Sequence, residues 1–318
     1  MKVLLIAPKF FGYDEHIKKA IEENGHTVYI IHENVDEANI YIKFLCKLFK
    51  KHKQKICEHF LKKKLNTLSY KFDHLIVIRG AYLNIQMLQH LKSNNPLKKT
   101  VMYQWDSINN NPNGLQICQE FSNVFTFDKN DASNYNWNYL PLFYIKRNEQ
   151  ALHNEYDYAF IGTLHSNRLD VFLQLKQYCK NNNYNLYAYL YTNLLSYIKN
   201  LFFCKNSNFL NNLSNIHFKP LTVEKVFEIY SKTKIIVDYT HPKQVGLTMR
   251  TIEALANGCK IITNNKNITT ENFYNANNIM LYSDKLIELN KDFFNSKYLN
   301  DSELINNYNI TNWVKYLL

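Results

Sequence analysis

The chain has 318 residues, with 46% hydrophobic and 20% charged residues and a formal net charge of +11. That is the profile of a soluble globular protein, long for one core and comfortable for two domains. It excludes a disordered chain. No apolar stretch reaches bilayer-spanning length, and "MKVLLIAPKF" turns polar too soon for a signal peptide. Six cysteines, Cys46, Cys57, Cys118, Cys179, Cys204 and Cys259, show no C-x-x-C pairing and no metal-like clustering. The expected compartment is the reducing cytosol.

In chain order, "KVLLIA" reads as a buried strand, followed by a loop containing Gly12 and a helix over 14–24 closed by Gly25. "HTVYII" is the next strand. A long lysine-rich helical stretch leads to "HLIVIRG", a strand ending on Arg79 and Gly80. A helix near 84–93 precedes the strands "TVMYQW" and "NVFTF". Around 141–155 the pattern breaks in "PLFYIKRNEQALHNE", which is polar after its start and carries a proline, as a linker would. The opening pattern then recurs in "YDYAFIGTLHSNRLDVFLQL", and further strands are "NLYAYL", "IHF", "KIIVDY", "CKIIT" and "NIMLY". Strand–helix alternation with continuous apolar strands predicts α/β architecture with parallel sheets covered on both faces. The expected organisation is two tandem doubly wound domains, 1–145 and 155–300, and a final helical segment, 301–318.

Only seven glycines and four arginines occur in this lysine-rich chain. Scarcity makes their positions informative, because arginine's planar fork suits phosphate and carboxylate oxygens. Gly12, Gly80, Gly162 and Gly246 fall where predicted strands end, and Arg79, Arg168 and Arg250 lie close to the last three. Ligands of such sheets bind beyond the strands' carboxyl ends, where helix N-termini converge. In "VGLTMRTIEALANGCKIIT", Gly246, Arg250 and Glu253 share one helix face, with Met249, Ile252 and Ala256 on another. Gly246 admits a backbone close to the helix mouth, whose free N–H groups and dipole favour phosphate. Thr248 adds a hydroxyl, Arg250 a charge, and Glu253 an acceptor suited to a ribose diol. The plainer alternative has Thr248 capping the helix and Arg250 paired with Glu253 at i,i+3.

"GLTMRTIEALANGCKIIT" resembles the donor-site signature of GT-B-fold glycosyltransferases, the group-1-like and CgeB-like proteins of bacterial surface-polysaccharide synthesis. The resemblance implies two Rossmann-like domains with a cleft between them and a C-terminal helix crossing back to the first. It implies that Glu253 holds the ribose of a nucleotide sugar and that Gly246, Leu247 and Thr248 face its diphosphate. The opening "FIGTLHSNR" looks like the family's second-domain entry and implicates Gly162, Thr163, His165 and Arg168 in the donor site. Many retaining members carry two glutamates spaced E-x₇-E, but here Val245 stands eight positions before Glu253. A retaining mechanism is therefore not inherited from that motif. His241, in "THPKQVG", is a candidate polar contact near the sugar, or a structural histidine before a proline turn.

Glycosyl transfer needs a stabilised leaving diphosphate and, for inversion, a base on the acceptor side. The chain has no D-x-D and no His/Asp ligand spacing. The expectation is therefore no metal and no cofactor, with Arg168, Arg250 and the helix mouth taking the leaving-group charge. Asp106, in "YQWDS", is the first candidate base, with Asp14 and His16 as rivals. The expected partners are a nucleotide sugar and a glycan or lipid-linked glycan acceptor, and no nucleic acid. The basic stretch 43–65 reads either as a surface for anionic lipid or as a solvated helix with one core-facing stripe. Two other functions fit less of the pattern. A non-hydrolysing nucleotide-sugar epimerase shares the architecture, and a nucleic-acid module would use the lysine-rich helix.

Overall fold

The computed structural model describes residues 1–34, 46, 52–145, 155–164, 167–194, 196–198, 213–241, 245–283, 291–299 and 302–318. The chain forms two compact units. Unit 1 comprises Met1–Ile145 with Asn307–Leu318, and unit 2 comprises Lys146–Asn306.

Unit 1 holds the strands β1 (Lys2–Ala7), β2 (Thr27–His32), β3 (His74–Ile78), β4 (Lys99–Gln104), β5 (Asn123–Thr126) and β6 (Asn138–Tyr139). They form one parallel sheet in the order β2-β1-β3-β4-β5-β6. Every residue of β3 is buried. Successive strand residues face opposite sides, so uninterrupted burial means that both faces are covered. The strand order reverses beside β1, which puts the carboxyl ends of β1 and β3 at the switch point where such sheets bind ligands. Leu4, Ile6, Leu75, Val77 and Met102 form one core with Leu61, Leu65, Met87 and Leu88 from two helices.

The helix Lys53–Asn66 buries Cys57, Leu61 and Leu65, the i, i+4, i+8 stripe of a core-facing helix. Residues 43–45 and 47–51 of the basic stretch lie outside the described residues. Among the described residues no helix is long and apolar enough to cross a membrane. The segment 141–155 is apolar at its start, and that start packs into unit 1. Leu142, Phe143 and Tyr144 are buried in unit 1, and Tyr144 bridges to Asn309.

The helix Ile310–Leu317 also belongs to unit 1. Its Trp313 is 1% exposed, lies 4.7 Å from both the Tyr103 and Phe143 rings, and donates Nε1–H to the Pro141 carbonyl at 2.9 Å.

Unit 2 contains β7 (Tyr156–Thr163), β8 (Leu186–Tyr191), β9 (Ile216–His217), β10 (Thr233–Asp238), β11 (Lys260–Thr263) and β12 (Ile279–Leu281). These form a second parallel sheet, ordered β12-β11-β10-β7-β8-β9. Its core includes Tyr158, Phe160, Leu190, Ile235 and Val237 with Phe172 and Leu175 of the helix Arg168–Asn182. The reversal here lies at β7 and β10, so these two strand ends carry the second switch point.

Candidate active site

In unit 2 the site is organised by a residue that the sequence pattern hides. Asp238, the last residue of β10, is fully buried. The chain then loops to the helix Met249–Ala256, with Thr248 at its N-cap. Thr248 has extended backbone there but makes no side-chain cap. Its hydroxyl donates instead to Asp238 Oδ2 at 2.7 Å, and Thr251 adds a longer contact at 3.3 Å. Arg250 Nε donates to Asp238 Oδ1 at 2.8 Å. The plainer expectation is met in position only: Thr248 occupies the N-cap without a side-chain capping bond, and Arg250 pairs with Asp238 rather than with Glu253. Burial alone would raise the Asp238 carboxyl, but the Arg250 charge and the Thr248 hydrogen bond outweigh it and hold it below its ordinary range.

Arg168 plays a different part from the one expected. It is 5% exposed, and its two terminal nitrogens donate to backbone carbonyls, Thr163 at 2.6 Å and Tyr239 at 2.7 Å. It is a strut between the ends of β7 and β10. Burial, with the nearby Arg250 charge, holds its pKa down at about 10. Gly162 leaves room for this strut. A Cβ there would lie 3.1 Å from Arg168 Nη1 and 3.2 Å from its Cδ and Cζ. Thr163 is exposed beside it, and His165 lies outside the described residues.

Glu253 is 1% exposed, close enough to Tyr230 and Arg250 for its charge to raise the pKa of both. Gly246, Leu247 and Thr248 are buried and His241 is half-buried. The Asn265 amide donates to the carbonyls of Val245 and Gly246, at 3.2 and 3.3 Å, and Asn267 also donates to Val245, at 3.0 Å. Asn264 and Thr240 exchange hydrogen bonds across the strand ends. These asparagines, which sequence reasoning passed over, fix the loop entering the helix. The Thr240 hydroxyl is buried without a hydrogen-bond partner.

In unit 1 the loop after β1 takes two left-handed residues, Phe11 and Gly12, into the helix Tyr13–Glu23. A pocket at this end of the sheet is lined by Phe10, Tyr13, Asp14, Arg79, Trp105 and Asp106, among others. His16 is half-buried on the same helix and does not line it. Asp14 is buried, accepting from His32 Nε2 at 2.8 Å and from the Phe10 N–H at 3.2 Å. Burial pushes its carboxyl up, but these hydrogen bonds bring it below the ordinary value. His32 and the Phe10 N–H thus hold the Asp14 carboxylate at the pocket wall.

Asp106 differs. It is half-buried two residues beyond β4, burial raises its pKa, and the Arg79 charge offsets only part of that. Asp14, Glu15 and His32 also bring ligand-capable atoms within 4.8 Å of one another. Sequence spacing missed this group because His32 arrives from a different strand.

A family model described as "Glycosyl transferase-like" matches residues 202–307. No curated protein matches the chain. Among solved structures, a lipopolysaccharide outer core galactosyltransferase, WaaB, is 12% identical with a TM-score of 0.54, over 100% of this chain and 98% of that one. Alr3699/HepE from Anabaena, solved with UDP and glucose, is 12% identical with a TM-score of 0.60, at 100% and 98% coverage. A sucrose-phosphate synthase from Thermosynechococcus elongatus is 10% identical with a TM-score of 0.60, again at 100% and 98% coverage. At these identities the structural likeness speaks to the fold, which is GT-B, and the family model speaks to the domain in unit 2. Residues 202–307 thus match a glycosyl transferase-like domain, and the chain as a whole is similar in fold to GT-B glycosyltransferases.

Proposed function

We propose that the protein transfers a sugar from a nucleotide-sugar donor to a glycan or glycolipid acceptor, without a metal, in cell-surface polysaccharide synthesis. The observation that carries the reading is the mouth of the helix Met249–Ala256. There Thr248 and Arg250 are both held on the buried Asp238 carboxylate. With its Nε engaged, the Arg250 guanidinium keeps its outer edge for an anion, and its side chain is 24% exposed. A diphosphate at this mouth meets helix N–H groups, a fixed cation and the unpartnered Thr240 hydroxyl. Glu253, one turn deeper, takes the ribose. In unit 1, Asp106 accepts the proton of the acceptor hydroxyl.

Support for the donor class comes from the Anabaena protein, solved with UDP and glucose. WaaB acts on the lipopolysaccharide outer core, which supports a surface-glycan acceptor. Thermal-shift screening with UDP-, GDP-, CMP- and TDP-sugars tests the reading. A true donor at 100 times its Kd stabilises by about 2.7 kcal/mol. Stabilisation by none of them, or interconversion of donors with no acceptor present, overturns it, the latter in favour of an epimerase.

A further inference from the structure

Arg79 is held with more care than a solvent-facing arginine needs. Its φ is 72°, in the left-handed region that a residue with a Cβ rarely adopts. Around it the Gly80 N–H donates back to the Ile78 carbonyl at 3.0 Å, closing a three-residue turn of the strained γ kind. Four bonds fix this turn. The Arg79 N–H donates to the Tyr103 carbonyl at 2.8 Å. The Arg79 carbonyl accepts from Asn111 Nδ2 at 2.9 Å, and the Gly80 carbonyl accepts from Asn113 Nδ2 at 2.7 Å. The side chain donates Nε–H to Glu33 Oε1 at 2.6 Å, and the Glu33 carboxylate is completely buried. Gly80 has a φ of 66°, and a Cβ there would crowd Ile117 Cδ1 at 2.9 Å, so a side chain is disfavoured.

Strain of this sort persists only where the surroundings over-determine it, and it gathers at working positions. Here it fixes the direction of one guanidinium. The Arg79 side chain, 23% exposed, lines the same pocket as Asp106. Its outer edge makes no other hydrogen bond or ion pair among the described residues.

We propose that Arg79 is a positioning residue of the transfer reaction, aimed by Glu33 and the strained turn so that it faces Asp106 across the pocket. It supplies a fixed counter-charge for the carboxylate and N–H groups that steer the acceptor hydroxyl toward it. This rests on Asp106 being the acceptor-side base. The other charged groups near the pocket are already engaged. Asp14 is bonded to His32 and Glu33 to Arg79, and Tyr13 contributes a ring and a phenol. Arg79 is the neighbouring charge that works against the effect of burial on the Asp106 carboxyl.

The test is the pH dependence of kcat/KM for the acceptor in Arg79→Asn, Arg79→Lys and Asp106→Asn. Asparagine tolerates the left-handed backbone and carries no charge. In Arg79→Asn the acidic limb should move up by about one pH unit, and the acceptor KM should rise while nucleotide affinity holds; the melting temperature should fall, because the buried Glu33 carboxylate loses its partner. Arg79→Lys should restore the limb but not the KM, because the charge returns without the fork. If Arg79→Asn fails to fold, Arg79→Gly, which suits the turn better still, replaces it. An unmoved limb in the neutral variant, with Asp106→Asn inactive, overturns the inference alone. An active Asp106→Asn overturns the base assignment and the inference together.

Discussion

Asp238 and Arg250 form a buried pair in which one carboxylate oxygen takes the arginine Nε at 2.8 Å and the other takes the Thr248 hydroxyl at 2.7 Å. Asp238→Asn should leave Arg250 and Thr248 without their shared anchor and cost roughly 3 kcal/mol of stability. The sign of the pH effect follows from the lowered carboxyl. Its contribution is present above the ordinary value of 3.8 and is lost as pH falls through the folded value. Chemical denaturation between pH 7 and pH 3 should therefore show a shallower acid loss in the variant. Parallel curves for the two proteins would remove Asp238 from the acid transition.

Arg250→Lys should already be harmful. An ammonium group cannot bond Asp238 through one nitrogen while keeping a second edge for phosphate. Turnover should fall at least tenfold, with donor affinity falling too, while activity in excess EDTA stays at the untreated level. Loss of activity on chelation, recovered with Mg²⁺ or Mn²⁺, would contradict metal-free departure and turn attention to Asp14, Glu15 and His32.

Glu253→Ala should weaken nucleotide binding by about 1–3 kcal/mol, the cost of leaving buried hydroxyls without their acceptor. The fold should survive. Calorimetric titration with the nucleotide found by screening decides it, and unchanged affinity would place the ribose elsewhere.

Asp106→Asn keeps size and removes basicity. Turnover should drop by roughly 10²–10⁴-fold with donor affinity unchanged. Because burial raises the wild-type carboxyl, the acidic limb of the wild-type rate should sit above pH 3.8, the ordinary carboxyl value. Near-normal turnover in the variant would return Asp106 to the status of a turn residue.

Gly162→Ala tests the strut. The added methyl meets a guanidinium whose two terminal nitrogens are already bonded to Thr163 and Tyr239, so it has little room to yield. A loss of about 1–3 kcal/mol is expected from overpacking. An unchanged melting temperature would show that Arg168 can shift without cost.

The strands were legible because runs such as "LLIA" and "IIV" are apolar without interruption, which only strands buried on both faces require. The two-residue β6 was too short to leave such a trace. At the site, the helix mouth was legible from Gly246 to Glu253, but its wiring was not. Local spacing makes Glu253 the obvious partner of Arg250. The actual partner, Asp238, closes an apolar run twelve residues earlier and reads as the end of a strand. Glu33 and Arg79 are separated by 46 residues. Only the sheet order, which sets β1 between β2 and β3, brings those two strand ends near each other.

The helix carrying Trp313 has a consequence for synthesis. Unit 2 is one unbroken stretch, whereas unit 1 needs Asn307–Leu318 as well as the first 145 residues. On the ribosome, unit 2 can close while the rings of Tyr103 and Phe143 and the Pro141 carbonyl still wait for Trp313. A chain stalled or clipped before residue 307 therefore carries a finished unit 2 and a unit 1 sheet with an apolar gap. Such a chain is a target for chaperones and proteases, and the unit begun first is completed last.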